Sequence, residues 1–84
     1  MASREKLLAQ ARNSPTGWRK PQLDRLYSAW GFDITEGAKH TKYKHPTHKD
    51  LKAVITRSSG ELSRKYVEDA VGLIDDLIAR EGMP

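Results

Sequence analysis

The chain has 84 residues, contains no cysteine, and carries a formal net charge of +4 with a pI near 9.6. This length suits one small domain and excludes two independent cores, while the absence of cysteine excludes disulfides and thiolate metal sites. The basic charge favours an acidic partner, with nucleic acid the first expectation and an acidic protein the second.

The apolar segments of the sequence are short and are separated by charged residues. None approaches the roughly 18 consecutive apolar residues that a membrane-spanning helix requires. The N-terminus also lacks the apolar region of a secretory signal peptide. We therefore expect a soluble, cytoplasmic protein without a membrane partner.

Two helices are predicted in the first third of the chain. Ser3 can cap a helix over residues 4–12, and the Pro and Gly in residues 13–17 end it. Pro21 suits the first position of a second helix, which Gly31 ends. Three large aromatic side chains of this region are expected in the core: Trp18, Tyr27 and Trp30.

Three strands are predicted before the C-terminal helix. Residues 32–35 alternate between apolar and polar side chains, as a half-buried strand does, and residues 36–38 suit a hairpin turn. A second strand covers residues 39–44, and a third covers residues 51–56 after a loop that contains Pro46. The short connections indicate an antiparallel sheet.

The C-terminal segment has the clearest amphipathic helical pattern of the chain. Ser63 is its predicted N-cap, Leu62 and Val67 can form a hydrophobic staple, and Gly82 ends the helix. Its acidic face is interpreted as a solvated surface. The predicted fold class is α+β with the order α-α-β-β-β-α, in which a three-stranded antiparallel sheet has helices packed on one face and its other face open.

Charged and imidazole side chains are concentrated in residues 39–52, which contain five lysines, one acid and all three histidines. Side chains alternate between the two faces along a strand. Because Tyr43 suits the face towards the helices, His40 is expected on the open face, in a row with two lysines about 7 Å apart. The predicted phosphate-binding residues are Lys39, Lys42 and Lys44.

This arrangement suits RNA cleavage through the ribose 2′-hydroxyl, a reaction that requires no metal ion or other cofactor. A neutral His40 would take the proton from the 2′-hydroxyl, and the lysines would stabilise the charge that develops on the phosphorane. The acid that protonates the leaving group is left open: His45 is the first candidate, and His48 and Lys39 are weaker ones.

Three other interpretations of this segment stay open. The lysines can bind phosphate without any turnover. An exposed histidine beside lysines can be no more than a solvated residue. Closely spaced histidines could hold a metal ion, but Asp50 is the one carboxylate near them, so we predict no metal site.

Two motifs occur in a characteristic order: Gly37-x-x-His40-x-x-Tyr43-x-His45-Pro46 and, after the third strand, Ser59-Gly60-Glu61-Leu62. Together with the amphipathic helix that follows, they resemble the HicA toxins of bacterial HicA–HicB toxin–antitoxin pairs. Residues 18–32 are similar to the helix that opens that family's domain, and residues 1–17 resemble the additional N-terminal helix and loop of some members. The resemblance implies a single domain over residues 1–84 with its core at residues 18–82.

The resemblance also implies a double-stranded-RNA-binding-like fold and a ribosome-independent endoribonuclease that acts on mRNA. His40 matches the histidine that this family uses on its sheet. A HicB-type antitoxin protein is the implied partner, which neutralises the toxin by covering that histidine.

Two positions depart from the family pattern. Lys39 stands where a small residue usually precedes the histidine, and Ser58 stands where many members have a second histidine after the third strand. One alternative follows from these departures, an inactive toxin copy that only binds its antitoxin. A second alternative is a non-catalytic RNA-binding module of the same fold. A third has the basic face act mainly as a docking surface for an acidic protein.

Overall fold

The computed structural model describes residues 3–56 and 60–82, and within these ranges it contains three helices and three strands. They are, in chain order, α1 (Arg4–Asn13), α2 (Lys20–Ala29), β1 (Asp33–Glu36), β2 (His40–Lys44), β3 (Lys52–Thr56) and α3 (Arg64–Glu81). The predicted α+β class and its α-α-β-β-β-α order are confirmed. Residues 57–59, which include the departure at Ser58, lie outside the described ranges.

Side-chain caps begin α1 and α3 where the sequence predicts them. The hydroxyls of Ser3 and Ser63 accept hydrogen bonds from the backbone N–H groups of Lys6 and Lys65, each at 3.3 Å. Gly82 has a φ of 64°, the left-handed conformation in which a side chain would be strained. The predicted N-caps and the predicted glycine stop of the last helix are therefore confirmed.

The described strands form an antiparallel sheet in the order β1-β2-β3, with β2 at its centre. A tight hairpin joins β1 to β2, and the N–H of Gly37 closes it by donating to the carbonyl of His40 at 2.8 Å. Each strand begins one residue later than the sequence predicts. Lys39 consequently lies in the hairpin turn and not in β2.

The hydrophobic core lies between the helices and one face of the sheet. Tyr43 projects from β2 into this core and stacks on Tyr27 of α2, with ring centroids 4.1 Å apart. The interpretation of Trp18, Tyr27 and Trp30 as core residues is confirmed, since their exposed fractions are 3%, 1% and 4%. Both indole N–H groups donate to backbone carbonyl oxygens, which satisfies them inside the core.

The first helix belongs to the same core as the rest of the chain. It packs against α2 and α3 and contributes Leu8 and Ala11 to the shared hydrophobic cluster. Arg12 near its end pairs with both carboxylate oxygens of Asp75 in α3, at 2.7 and 2.9 Å. None of the helices in the described ranges is long and apolar enough to cross a membrane.

Candidate nucleic-acid interface

Alternation along β2 divides its side chains between the two faces of the sheet. Thr41 and Tyr43 are fully buried against the helices. The exposed side chains of this strand are those of His40, Lys42 and Lys44. Alternate side chains of a strand lie roughly 7 Å apart on one face, so the structure brings these three together in one row, as the sequence predicts.

The pairing of β2 with β3 adds two residues that the sequence analysis did not identify. Thr56 lies opposite His40, and Lys52 lies opposite Lys44. Paired residues of antiparallel strands have Cα atoms about 5 Å apart and side chains on the same face. Lys52 therefore extends the basic row into β3. Lys52 is exposed because side chains alternate along β3, but its place beside Lys44 could be assigned only once the register between the two strands was known.

The lysines of the open face have no carboxylate partner in the part of the chain that the structure describes. None of the observed ion pairs includes Lys39, Lys42, Lys44 or Lys52. Three acids of α3, in contrast, pair with arginines: Asp75 with Arg12, Glu68 with Arg64, and Asp76 with Arg80. The open face thus keeps its positive charge available for an anionic ligand.

His40 begins β2, and its side chain is exposed. Its backbone is fixed by the hydrogen bond that closes the hairpin with Gly37. Its ring nitrogens make no hydrogen bond to any residue in the described ranges. No residue in the described ranges therefore competes with a ligand for the ring nitrogen that a general base uses to accept a proton.

His45 lies directly after β2 and is 7% exposed. Its Nδ1 accepts hydrogen bonds from the backbone N–H groups of Thr47 at 3.1 Å and His48 at 3.0 Å, and its ring packs edge-on against Phe32. His45 follows His40 by five positions, which is roughly 16 Å along an extended strand. The structure therefore does not bring the first candidate for the general acid to the predicted base.

The other histidine of this region is also held away from the open face. His48 lies in the loop between β2 and β3, and its Nε2 is 3.2 Å from Oε2 of Glu81 at the end of α3. Asp50 in the same loop pairs with Arg80 at 2.5 and 2.8 Å, and this pairing holds the pKa of Asp50 below its usual range.

In the ranges that the structure describes, no group of three or more histidine and acidic side chains is arranged to hold a metal ion.

A polar network supports β2 from the helix side. The Tyr43 hydroxyl donates to Oδ1 of Asp24 at 2.5 Å, and Lys20 pairs with Oδ2 of Asp24 at 2.8 Å and with Glu36 of β1. Burial raises the pKa of Tyr43, and the hydrogen bond to Asp24 raises it further. The network fixes the strand to α2, so that its alternate residues stay on the open face.

Comparisons with known proteins give no independent assignment of this interface. No protein-family model matches the chain. No curated protein matches it either, and no solved structure does. The resemblance to HicA toxins therefore rests on the sequence motifs alone.

Proposed function

We propose that the open sheet face binds single-stranded regions of mRNA and that His40 cleaves the bound strand as a general base. The observation that carries this proposal is the row of exposed lysines, without carboxylate partners in the described residues, beside an exposed imidazole. RNA supplies both groups that such a row recognises, a series of phosphates and a 2′-hydroxyl beside each of them.

The proposed reaction is the attack of the 2′-oxygen on the adjacent phosphorus. His40 accepts the proton of the 2′-hydroxyl, the O2′–P bond forms, and the P–O5′ bond breaks. The leaving oxygen takes up a proton from solvent water, so the products are a 2′,3′-cyclic phosphate and a 5′-hydroxyl. Lys42 and Lys44 stabilise the negative charge that the phosphorane gains. In this scheme the imidazole and the ammonium groups supply the base and the charge that the reaction needs.

The same face is the proposed binding site of a protein inhibitor. In the toxin interpretation the chain cleaves cytoplasmic mRNA without the ribosome, and a HicB-type antitoxin covers His40. An antitoxin that presents acidic side chains would use the same lysines as RNA, because both ligands are anionic. Antitoxin and RNA would then exclude each other from the open face.

One observation favours a second candidate, a non-catalytic RNA-binding module. The structure brings neither His45 nor His48 to His40, so no second imidazole is placed beside the predicted base. An RNA-binding module needs the lysines but no acid for the leaving group. This candidate predicts RNA binding that weakens as salt rises, without cleavage products.

Inducible expression of the chain alone in a bacterium tests the proposal. We expect growth arrest with loss of full-length mRNA, and we expect His40→Ala to abolish both effects. His48→Ala is the matched control, since it removes an imidazole that lies away from the open face. Growth arrest with mRNA loss caused by a folded His40→Ala protein would contradict the catalytic role. RNA retained by the purified protein without cleavage would support the binding module.

A further inference from the structure

The exposed residues of β2 and β3 form three cross-strand pairs on the open face, each with a different chemistry. They are His40 with Thr56, Lys42 with Val54, and Lys44 with Lys52. Paired residues of antiparallel strands lie about 5 Å apart on one face, and the next pair on that face follows after about 7 Å. The pair of lysines therefore lies roughly 13 Å from the proposed catalytic histidine.

Lys44 and Lys52 place two positive charges directly opposite each other. Like charges in such a pair destabilise a sheet, and neither lysine forms an ion pair with a residue that the structure describes. A single phosphate between the two ammonium groups would accept hydrogen bonds from both and offset their repulsion. The two strands are therefore suited to bind one phosphate together at this pair.

Carboxylates on both sides confine this positive charge to the seam between β2 and β3. Asp33 of β1 lies opposite Lys44 on the other side of β2 and forms no ion pair within the described ranges. Beyond β3, Asp69 of α3 lies with Lys52 in the lining of a groove that residues of α2, β3 and α3 form. A polyanion is repelled at both borders, so the favourable path for an RNA strand follows the seam.

The spacing of the three pairs suits the spacing of phosphates along RNA. In an extended RNA strand, neighbouring phosphates are separated by about as much as alternate side chains of a β-strand, so each step along the RNA corresponds to one pair. With the cleaved phosphate at His40, the next one lies at Lys42 and Val54, where the valine is 52% exposed and offers an apolar contact to the nucleotide. The lysine pair then meets the phosphate two positions from the cleaved one.

We propose that Lys44 and Lys52 form a subsite for the phosphate two positions from the cleaved one, so that efficient cleavage requires an RNA strand that extends over both lysines. This subsite presupposes the proposed function, because it takes the open face as the RNA site and His40 as the residue at the cleaved phosphate. It adds a minimum length of the substrate. A dinucleotide, which contains the cleaved phosphate alone, is a poor substrate.

Cleavage of short oligonucleotides with one uncharged phosphate tests this subsite. Oligonucleotides of random sequence are made with a single central ribonucleotide and 2′-deoxyribonucleotides elsewhere, so that one phosphate alone can be cleaved. Each phosphate within two positions of it is then replaced, one at a time, by an uncharged methylphosphonate. For the wild type, we expect kcat/KM to fall about tenfold when the replacement lies two positions away on one side.

Variants of the lysine pair connect this loss to the subsite. In the double variant Lys44→Gln, Lys52→Gln, the same replacement should lower kcat/KM less than about twofold, because the contact is already absent. The matched control is Lys6→Gln, Lys65→Gln, which removes the same charge from two helices and should keep the full loss. Urea unfolding should show the first double variant to be at least as stable as the wild type, since its two charges no longer repel each other.

The outcomes distinguish the subsite from the proposed function. An equal loss at every position, or a loss two positions away that persists in Lys44→Gln, Lys52→Gln, would overturn the subsite while the proposed function stands. Unmodified RNA cleaved by this double variant at the wild-type rate would also overturn it and would leave the lysine pair to an acidic protein. A wild type that cleaves neither these oligonucleotides nor unmodified RNA would refute the proposed function and the subsite with it.

Discussion

His40 and His45 have the same side chain in opposite surroundings. His40 is exposed and its ring has no hydrogen-bond partner in the described residues, whereas His45 is buried and its Nδ1 accepts two backbone N–H groups. One histidine is thus available for chemistry, and the other organises a loop. The sequence could not separate these roles for His45, because Pro46 ends the strand alternation that would have set its direction.

Replacement of His45 tests its role in the loop. We expect His45→Ala to lower the free energy of unfolding by about 2–4 kcal/mol, because two backbone N–H groups lose their acceptor and a buried ring is removed. His45→Asn should lose less, since its amide oxygen can accept one of these hydrogen bonds. Urea unfolding measures both changes. His40→Ala is the control and should stay within about 0.5 kcal/mol of the wild type, and an equally small loss for His45→Ala would refute the loop role.

Because the hydroxyl of Tyr43 is buried, the free energy of unfolding should fall at alkaline pH. Burial and then Asp24 raise its pKa above the ordinary value, so its contribution to stability is complete below about pH 10 and is lost as the pH rises towards the higher folded value. We expect the free energy of unfolding to fall above about pH 10, and Tyr43→Phe to reduce that fall. Urea unfolding at neutral and alkaline pH measures the difference. An unchanged alkaline slope in Tyr43→Phe would contradict this assignment.

At the scale of elements, the β2–β3 pair gives the open face its charge. Alternation within residues 39–44 predicted correctly which side chains of β2 are exposed, because Tyr43 had to face the core. The position of Lys52 on this face was not predicted, because its place beside Lys44 depends on the register between two strands, which is a long-range property. The one-residue shift of each strand start shows the same limit, since hydrogen bonds and not side-chain types decide where a strand begins.

The salt dependence of RNA binding tests whether this pair of strands holds the phosphates. Each of Lys42→Gln, Lys44→Gln and Lys52→Gln should reduce the slope of log K against log salt concentration by about 0.7, since one phosphate contact is lost. Fluorescence anisotropy with a labelled single-stranded RNA measures the slope. Lys6→Gln on α1 removes the same charge far from the sheet and should leave the slope nearly unchanged. A Lys52→Gln slope equal to that of Lys6→Gln would remove β3 from the interface.

Across the whole molecule, the acidic side chains of α3 and the basic side chains of the open face differ in whether they form ion pairs. The acids of α3 at positions 68, 75 and 76 are paired with arginines, while the lysines of the open face have no such partners in the described ranges. The low acid content of residues 39–52 predicted this basic face. The pairs Arg64–Glu68 and Asp76–Arg80 have the i,i+4 spacing of helical ion pairs, whereas the pair of Asp75 with Arg12 depends on the packing of α1 against α3. The groove that residues of α2, β3 and α3 line could not be predicted from the sequence either, because it arises from the packing of three elements that are distant in the chain.

The rate at which the purified protein cleaves a single-stranded RNA tests the central claim most directly. We predict cleavage in the presence of EDTA that leaves 2′,3′-cyclic phosphate ends, and a rate about a hundredfold or more lower for His40→Ala. Urea unfolding verifies that the variant is folded, and His48→Ala serves as the matched control at the wild-type rate. Cleavage by folded His40→Ala at the wild-type rate would contradict the role of His40 as the general base.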